Sequence, residues 1–349
     1  MQTEEPNHII GVDEQMQFVP FNETMLDAGA GLLAENYSHL RSKGLSLLPE
    51  RFEEIATARE ALLGVFEQPK AMGIAALSDG KLMAYLIGCP AVNAIRGRHV
   101  WIHPAGIGAD SAYSLDILRD LYTHLGRVWV RNGFFDHFIL AFAEGDWLIP
   151  WLNLGFASEQ AHALMDLKKV HISRFSVNPR LVVREAGQED RSIVQSFSRI
   201  IPREHAGAPV WGVALPEDIP EIHEGYGELL DEEGTTTWLA FLDNEPVGIQ
   251  VYRTLPDQGI NLLYPSKSTR LTVASTIEQA RGMGVSTTLL ARGLADALSK
   301  GFRYCETDWR VTNLLSSRHW PRRGFTPVGY RLVRKVDPRI VWADGYNEL

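Results

Sequence analysis

The chain has 349 residues, room for about two domains at roughly 150 residues each, and its 45% hydrophobic and 22% charged residues match a soluble globular protein. That excludes disorder, collagen and coiled coil for the bulk of it. With 34 Lys+Arg against 43 Asp+Glu the net charge is -9, which argues against a general binder of nucleic acid or anionic membrane but leaves room for a local basic patch.

Met1 to Asn7 carry Glu4, Glu5 and Pro6 instead of the cationic-then-apolar order of a signal peptide. A strand is expected at Phe18-Val19-Pro20. Residues 71–77, Ser78-Asp79-Gly80-Lys81 and residues 82–87 read as strand, turn and strand, because Gly accepts the positive φ of a tight hairpin. Cys89 and Cys305 lie far apart in apolar stretches, so neither a disulfide framework nor a C-x-x-C metal site is available, and a reduced setting is expected. After a strand at Val100-Trp101-Ile102, residues 103–111 include Gly106, Gly108 and Asp110. An amphipathic helix then ends at Asn132-Gly133-Phe134, Gly being the usual left-handed cap. Residues 138–143 have the length of a buried strand. A short Trp-containing helix closes at Gly155-Phe156, and a strand is expected at 165–172 before the polar, Pro-containing stretch 176–179. No apolar run approaches the ~20 residues of a transmembrane helix, and a cytoplasmic protein without membrane or nucleic-acid partners is expected.

The same order recurs about 165 residues later. A strand at Leu181-Val182-Val183 precedes a helix at 190–200, a Pro-punctuated loop at 202–220 and a helix at about 220–230. A second hairpin turns at Asp243-Asn244. A second amphipathic helix ends at Gly301-Phe302, a strand follows at 304–308, and Trp320 precedes Gly324-Phe325. Two copies of one α/β (α+β) unit, 1–176 and 177–349, are the economical reading, each a mixed central sheet flanked by helices.

The most specific segment lies in the second copy. An alternating strand at 270–276 runs into Arg281-Gly282-Met283-Gly284-Val285-Ser286, and a helix follows with Val285, Leu289, Leu290, Leu294, Ala297 and Leu298 on one face. Gly-x-Gly at a strand-to-helix turn lets a ligand approach the backbone. The helix's unpaired N–H groups then make an anion site, which predicts phosphate or pyrophosphate. No Lys follows Gly284, as a nucleotide-hydrolysing P-loop requires, and a dinucleotide fingerprint would need a third Gly and an early βαβ position.

These residues resemble the pyrophosphate loop of the GNAT superfamily, the acetyl-coenzyme A-dependent N-acyltransferases, whose usual form is Gln/Arg-x-x-Gly-x-Gly/Ala. Asn313, Trp320 and Gly324-Phe325 fall on that family's downstream Asn, Tyr and Gly-Phe pattern. The resemblance covers residues 181–336, and residues 18–172 more loosely as a degenerate copy. It implies two tandem GNAT-like domains, acetyl-coenzyme A as acyl donor, no metal, and a small-molecule or peptide amine as acceptor. It assigns the pantetheine arm to Ala274, Ser275 and Thr276. The rest of coenzyme A falls to Arg281, Gly282, Met283, Gly284, Val285, Ser286 and Thr287, with Asn313 and Trp320 beside them. The implied reaction is direct attack by the amine, without a covalent enzyme intermediate, as a backbone N–H polarises the thioester carbonyl.

Two departures bear on mechanism. Ser286 stands where the family has Gly or Ala. Trp320 stands where it has the Tyr that protonates the departing thiolate, and an indole N–H cannot act as general acid. Tyr330, on the next strand, is the candidate replacement. Glu306 and Asp308 share one face of their strand by period two and are candidate bases, against the plainer reading of solvated or ion-paired acids. In the first copy, residues 103–111 lack an Arg or Gln in register, and Asp110 is expected to set a negative charge beside the pyrophosphate position. That copy is expected to be structural or interface-forming, and a homodimer stays open. His205 and His319 read as surface histidines. The competing function is a non-catalytic acyl-coenzyme A sensor or a protein-interaction scaffold.

Overall fold

A computed structural model of the chain describes residues 16–111, 114–256 and 262–343. The first copy contains strands β1 (Gln17–Pro20), β2 (Met72–Ser78), β3 (Lys81–Asn93), β4 (Gly97–Ile102), β5 (Ile107–Ala109), β6 (Asp136–Phe142) and β7 (Ala157–Asp166). Its helices are α1 (Leu26–Ser42), α2 (Ile55–Phe66), α3 (Ile117–Arg131) and α4 (Gly145–Asn153). The second copy has β8 (Leu181–Glu185), α5 (Arg191–Ser196), α6 (Ile200–Ala206), α7 (Ile219–Glu228), β9 (Thr235–Leu242) and β10 (Glu245–Thr254). It continues through β11 (Ser268–Thr276), α8 (Val285–Ser299), β12 (Tyr304–Arg310), α9 (Leu314–Arg322) and β13 (Thr326–Lys335).

Both hairpins form where the turn residues demand them. Asp79 and Gly80 have φ of 50° and 77°, and Asp243 and Asn244 have 52° and 69°, the doubly positive geometry that matches strand twist. Helices α3 and α8 bury the apolar faces that their spacing announces, Leu118, Leu121, Leu125 and Trp129 in one and Val285, Leu289, Leu290 and Leu294 in the other. Two sequence expectations shift. The first copy's last strand is β7, earlier than 165–172, and the expected helix at 190–200 breaks after Ser196, so that α6 occupies the start of the expected loop.

All thirteen strands of the described residues join one sheet, in the order β1-β2-β3-β4-β6-β13-β7-β12-β11-β10-β9-β8, with β5 on β3. The order shows an exchange. β7 closes the first copy in sequence, yet its ladder partners are β12 and β13. β13 closes the second, yet it pairs with β6 and β7. Neither strand pairs with its own copy. The connection before β11 also crosses over: Leu262 and Leu263 are buried in the first copy's core, and Tyr37 of α1 donates a 2.6 Å hydrogen bond to the Leu262 carbonyl.

An isolated half therefore leaves its last strand without a ladder, exposing backbone groups that the whole chain satisfies. Residues 1–176 and 177–349 expressed separately are each expected to lack a cooperative thermal transition as monomers and to regain one on mixing, read by near-ultraviolet dichroism and gel filtration. Cooperative unfolding of either monomeric half alone contradicts the exchange.

Candidate functional site

β11 and β12 are parallel and pair only from Ser268↔Tyr304 to Leu271↔Thr307. Beyond that, β11 stays bonded to β10 as far as Thr276, while β12 follows β7 to Arg310. The strands part, and a cavity of about 490 Å³ opens between them. Thr272, Ala274, Ser275 and Thr276 form one wall, and Thr307, Asp308, Trp309 and Arg310 the other. α6 contributes Ile200, Ile201, Glu204 and His205, and the α8 and α9 ends close the rest.

The glycine loop sits at the mouth. Gly282 and Gly284 both have φ of 80°, which a side-chain-bearing residue adopts only under strain, and Gly284 is the left-handed N-cap of α8. A Cβ on Gly282 would meet nothing within 4 Å, so conformation and ligand approach, not crowding by the protein, select glycine there. α8 has no side-chain cap, and Val285, Ser286 and Thr287, whose N–H groups lie in its unpaired first turn, line the cavity. Ser286 is braced from beneath. Gln250 Nε2 donates to its carbonyl at 3.0 Å, Tyr252 donates to Gln250 Oε1 at 2.7 Å, and His319 Nε2 lies 3.1 Å from the Ser286 hydroxyl. Arg281 reaches across the mouth and donates to Glu204 at 2.7 Å.

Asn313 caps α9, its Oδ1 accepting from Leu315 N and Ser316 N at 3.1 Å each, and lines the cavity too. Trp320 is buried edge-on against Phe325. Met283 points outward, and its carbonyl accepts from Asn178 Nδ2 at 2.9 Å. Every other residue singled out for coenzyme A lies on the cavity wall.

The three candidate catalytic residues separate. Asp308 is on the wall, its Oδ2 accepting from Arg270 and from Gln160 Nε2 at 2.6 Å each. Glu306 is 0% exposed, behind the wall, with Arg270 Nε 2.9 Å from its Oε2. Burial opposes the charge of Arg270, but Glu306 and Asp308 outweigh it and hold its pKa above the ordinary value. His162 Nδ1 lies 3.6 Å from Glu306 and 2.9 Å from the Tyr264 hydroxyl. His162, Glu306 and Asp308 have the spacing of a metal site, but the Arg270 guanidinium already supplies the positive charge between the two carboxylates. Tyr330 packs against two of the apolar cores and lies outside the cavity lining.

His205 and His319, expected at the surface, are instead half-buried in the cavity wall. Burial, and then Arg323, press the His319 pKa down to about 4, and burial with Arg310 lowers that of His205, so both favour the neutral form. Glu204, Arg270, Gln160 and Arg310 were also missed. The alternation of β12 places Arg310 on the face of Asp308, the one signal that pointed to it.

The first copy corrects another expectation. Gly106 and Gly108 do not form its helix-entry loop. Gly106 sits in a strand interruption where a Cβ would come 2.7 Å from the Ile87 carbonyl oxygen, and Gly108 is in β5. Asp110 pairs with Lys81 at 2.9 Å and is not the residue that caps α3. The residue at the N-terminus of α3 is Asp116, which places a carboxylate where α8 has Gly284. Asn36 of α1 closes the strand edge, donating to the Ala109 carbonyl at 2.7 Å and accepting from Ala109 N at 3.0 Å.

No protein-family model matches the chain, and no curated protein matches it. Solved structures do. A GCN5-related N-acetyltransferase from Sphaerobacter thermophilus aligns with TM-score 0.56 and 11% identity over 94% of this chain and 97% of that one. The glucosamine N-acetyltransferase region of a fungal multi-domain GH3 β-N-acetylglucosaminidase aligns at 0.53 and 12% identity, over 94% of this chain and 39% of that one. A tandem GNAT protein from the clavulanic acid biosynthesis pathway aligns at 0.50 and 12% identity, over 93% and 98%. The likeness is one of fold: this chain has a tandem GNAT fold.

His137 of β6, buried in the first copy against Tyr122 at 2.7 Å, also has its pKa pushed down to about 4, chiefly by burial. Unfolded histidines titrate near ~6.5, so between about pH 6.5 and 4 the unfolded chain holds more protons than the folded one. Stability should be complete above that window and fall as pH drops through it, measured by thermal unfolding. A midpoint that is flat across the window contradicts neutral buried histidines.

Proposed function

We propose that the second copy is an acyl-coenzyme A-dependent N-acyltransferase that passes the acyl group directly to an amine. The observation carrying this is the uncapped α8 N-terminus, opened by Gly282 and Gly284, at the mouth of a cavity flanked by the unpaired edge of β11. The residues fit the donor. The first-turn N–H groups of Val285, Ser286 and Thr287 would hold its pyrophosphate, and Arg281 would exchange Glu204 for it. Backbone groups of Ala274, Ser275 and Thr276 would hold the pantetheine arm, and one N–H there would polarise the acyl carbonyl. The bound donor supplies the activated thioester.

Asp308 is assigned the role of base. It is on the wall, whereas Glu306 is sealed behind it, and Arg270 with Gln160 fixes its carboxylate. A carboxylate there attracts the acceptor's ammonium and takes a proton from it, directly or through water. Trp320, packed on Phe325, and Tyr330, outside the cavity, move no proton, so solvent in the cavity protonates the departing sulfur. The absence of a titratable group at Trp320 favours a second reading, a sensor that binds the donor without turnover.

Release of free thiol from acetyl-coenzyme A over a panel of amines separates the two. Asp308→Asn should lower kcat/KM by roughly 10²-fold or more and leave donor affinity within about tenfold. Gly284→Asp, which adds a Cβ and a charge at the helix start, should weaken donor binding by about 30-fold or more, equivalent to ~2 kcal/mol. Binding without thiol release for any amine supports the sensor. Unchanged affinity in Gly284→Asp places the donor elsewhere.

A further inference from the structure

Positive charge gathers behind the Arg310 end of the cavity wall. Arg310, on the wall, pairs with Glu159 of β7. Glu159 is shared, because Arg331 of β13 also reaches it at 2.5 Å. A third guanidinium approaches from the turn between β3 and β4: Arg96 lies over the Phe138 ring at 4.6 Å and over Trp101 at 5.5 Å. It feels both Arg331 and Arg310, and partial burial together with that repulsion lowers its pKa, while Glu159 opposes the shift. Glu159 itself is lowered although burial opposes its charge, because Arg331 and Arg310 outweigh that cost. Two arginines thus share one carboxylate and a third stacks beside them, in a chain of net charge -9.

Such an excess of half-buried positive charge is costly to maintain and is relieved by an anion. Guanidinium groups offer carboxylates and phosphates paired N–H donors. Asp308 lies two residues before Arg310 on the same face of β12, roughly 7 Å away by strand rise. One side chain therefore suits an ammonium and the other an anion, at a spacing that a compact molecule bridges.

We infer that the acceptor is a small amine bearing an anionic group, a carboxylate or a phosphate, with its amine at Asp308 and its anion on Arg310, backed by Arg331 and Arg96. This rests on the acyl-transfer reading for its use of the amine, but not for the anion site. It also gives the first copy a part in substrate recognition, since Arg96 and Glu159 belong to that copy.

The test is direct binding by calorimetry to the full chain, so that it does not depend on turnover. The probes are matched pairs: glycine, β-alanine, 4-aminobutyrate and glutamate against their amides, and O-phosphoethanolamine against ethanolamine. At least one acid-bearing probe is expected to bind tenfold or more tighter than its neutral partner, and the winning pair identifies carboxylate or phosphate. Arg310→Met should abolish that preference. Arg96→Met, which leaves both Glu159 ion pairs intact, should weaken the acid-bearing probe threefold or more without changing its partner. Equal affinities within every pair, no binding by any acid-bearing probe, or a preference that survives Arg310→Met overturns the inference. If the preference holds while no amine is acylated, the anion site stands and the acyl-transfer reading falls.

Discussion

The antiparallel pairing of β7 with β13 is the contact on which the rest of the molecule depends. Each strand leaves its own copy and hydrogen-bonds the other, so two α/β units become one sheet whose centre belongs to both. The pairing also has a local effect. With β7 satisfying one edge of β12 as far as Arg310, β12 can part from β11 on its other edge without losing its place in the sheet. The cavity thus opens against a fixed wall, and Leu262 and Leu263, lodged in the opposite core, hold the connection that leads into β11.

From this shared frame the two copies diverge at the same two places. In the second copy the helix start is uncapped and entered through glycines, and the adjoining strand edge faces the cavity, leaving N–H groups for a ligand to satisfy. In the first copy Asp116 sets a carboxylate at the helix start, against an anion, and Asn36 bonds both polar groups of Ala109. A buried backbone group needs a partner in either case. Whether that partner is a side chain or a ligand separates a sealed copy from an open one.

What was legible in the sequence was local. The two hairpin turns, the apolar faces of α3 and α8 and the entry loop Arg281 to Gly284 depend on residues a few positions apart, whose backbone demands are specific. The first copy's glycines misled because Gly in a strand interruption and Gly in a helix-entry loop look alike until the strand pairing is known. Only the pairing of β5 with β3 distinguishes them. The exchange itself carries no local signal, since nothing in the residues of β7 or β13 says which copy supplies their ladder partners. His205 and His319 became cavity residues through the packing of α6 and α9, and the three arginines come from two separate strands and a turn. Apart from the period-two step from Asp308 to Arg310, none of these has a spacing to detect.

Titration of the full chain with acetyl-coenzyme A by calorimetry tests this division of labour most directly. One molecule should bind per chain, because the first copy sets the Asp116 carboxylate at its helix start and closes its strand edge with Asn36. Two equivalent sites would mean that Asp116 and Asn36 do not seal the first copy, and no binding would mean that the loop at Gly282 and Gly284 is not an anion cradle.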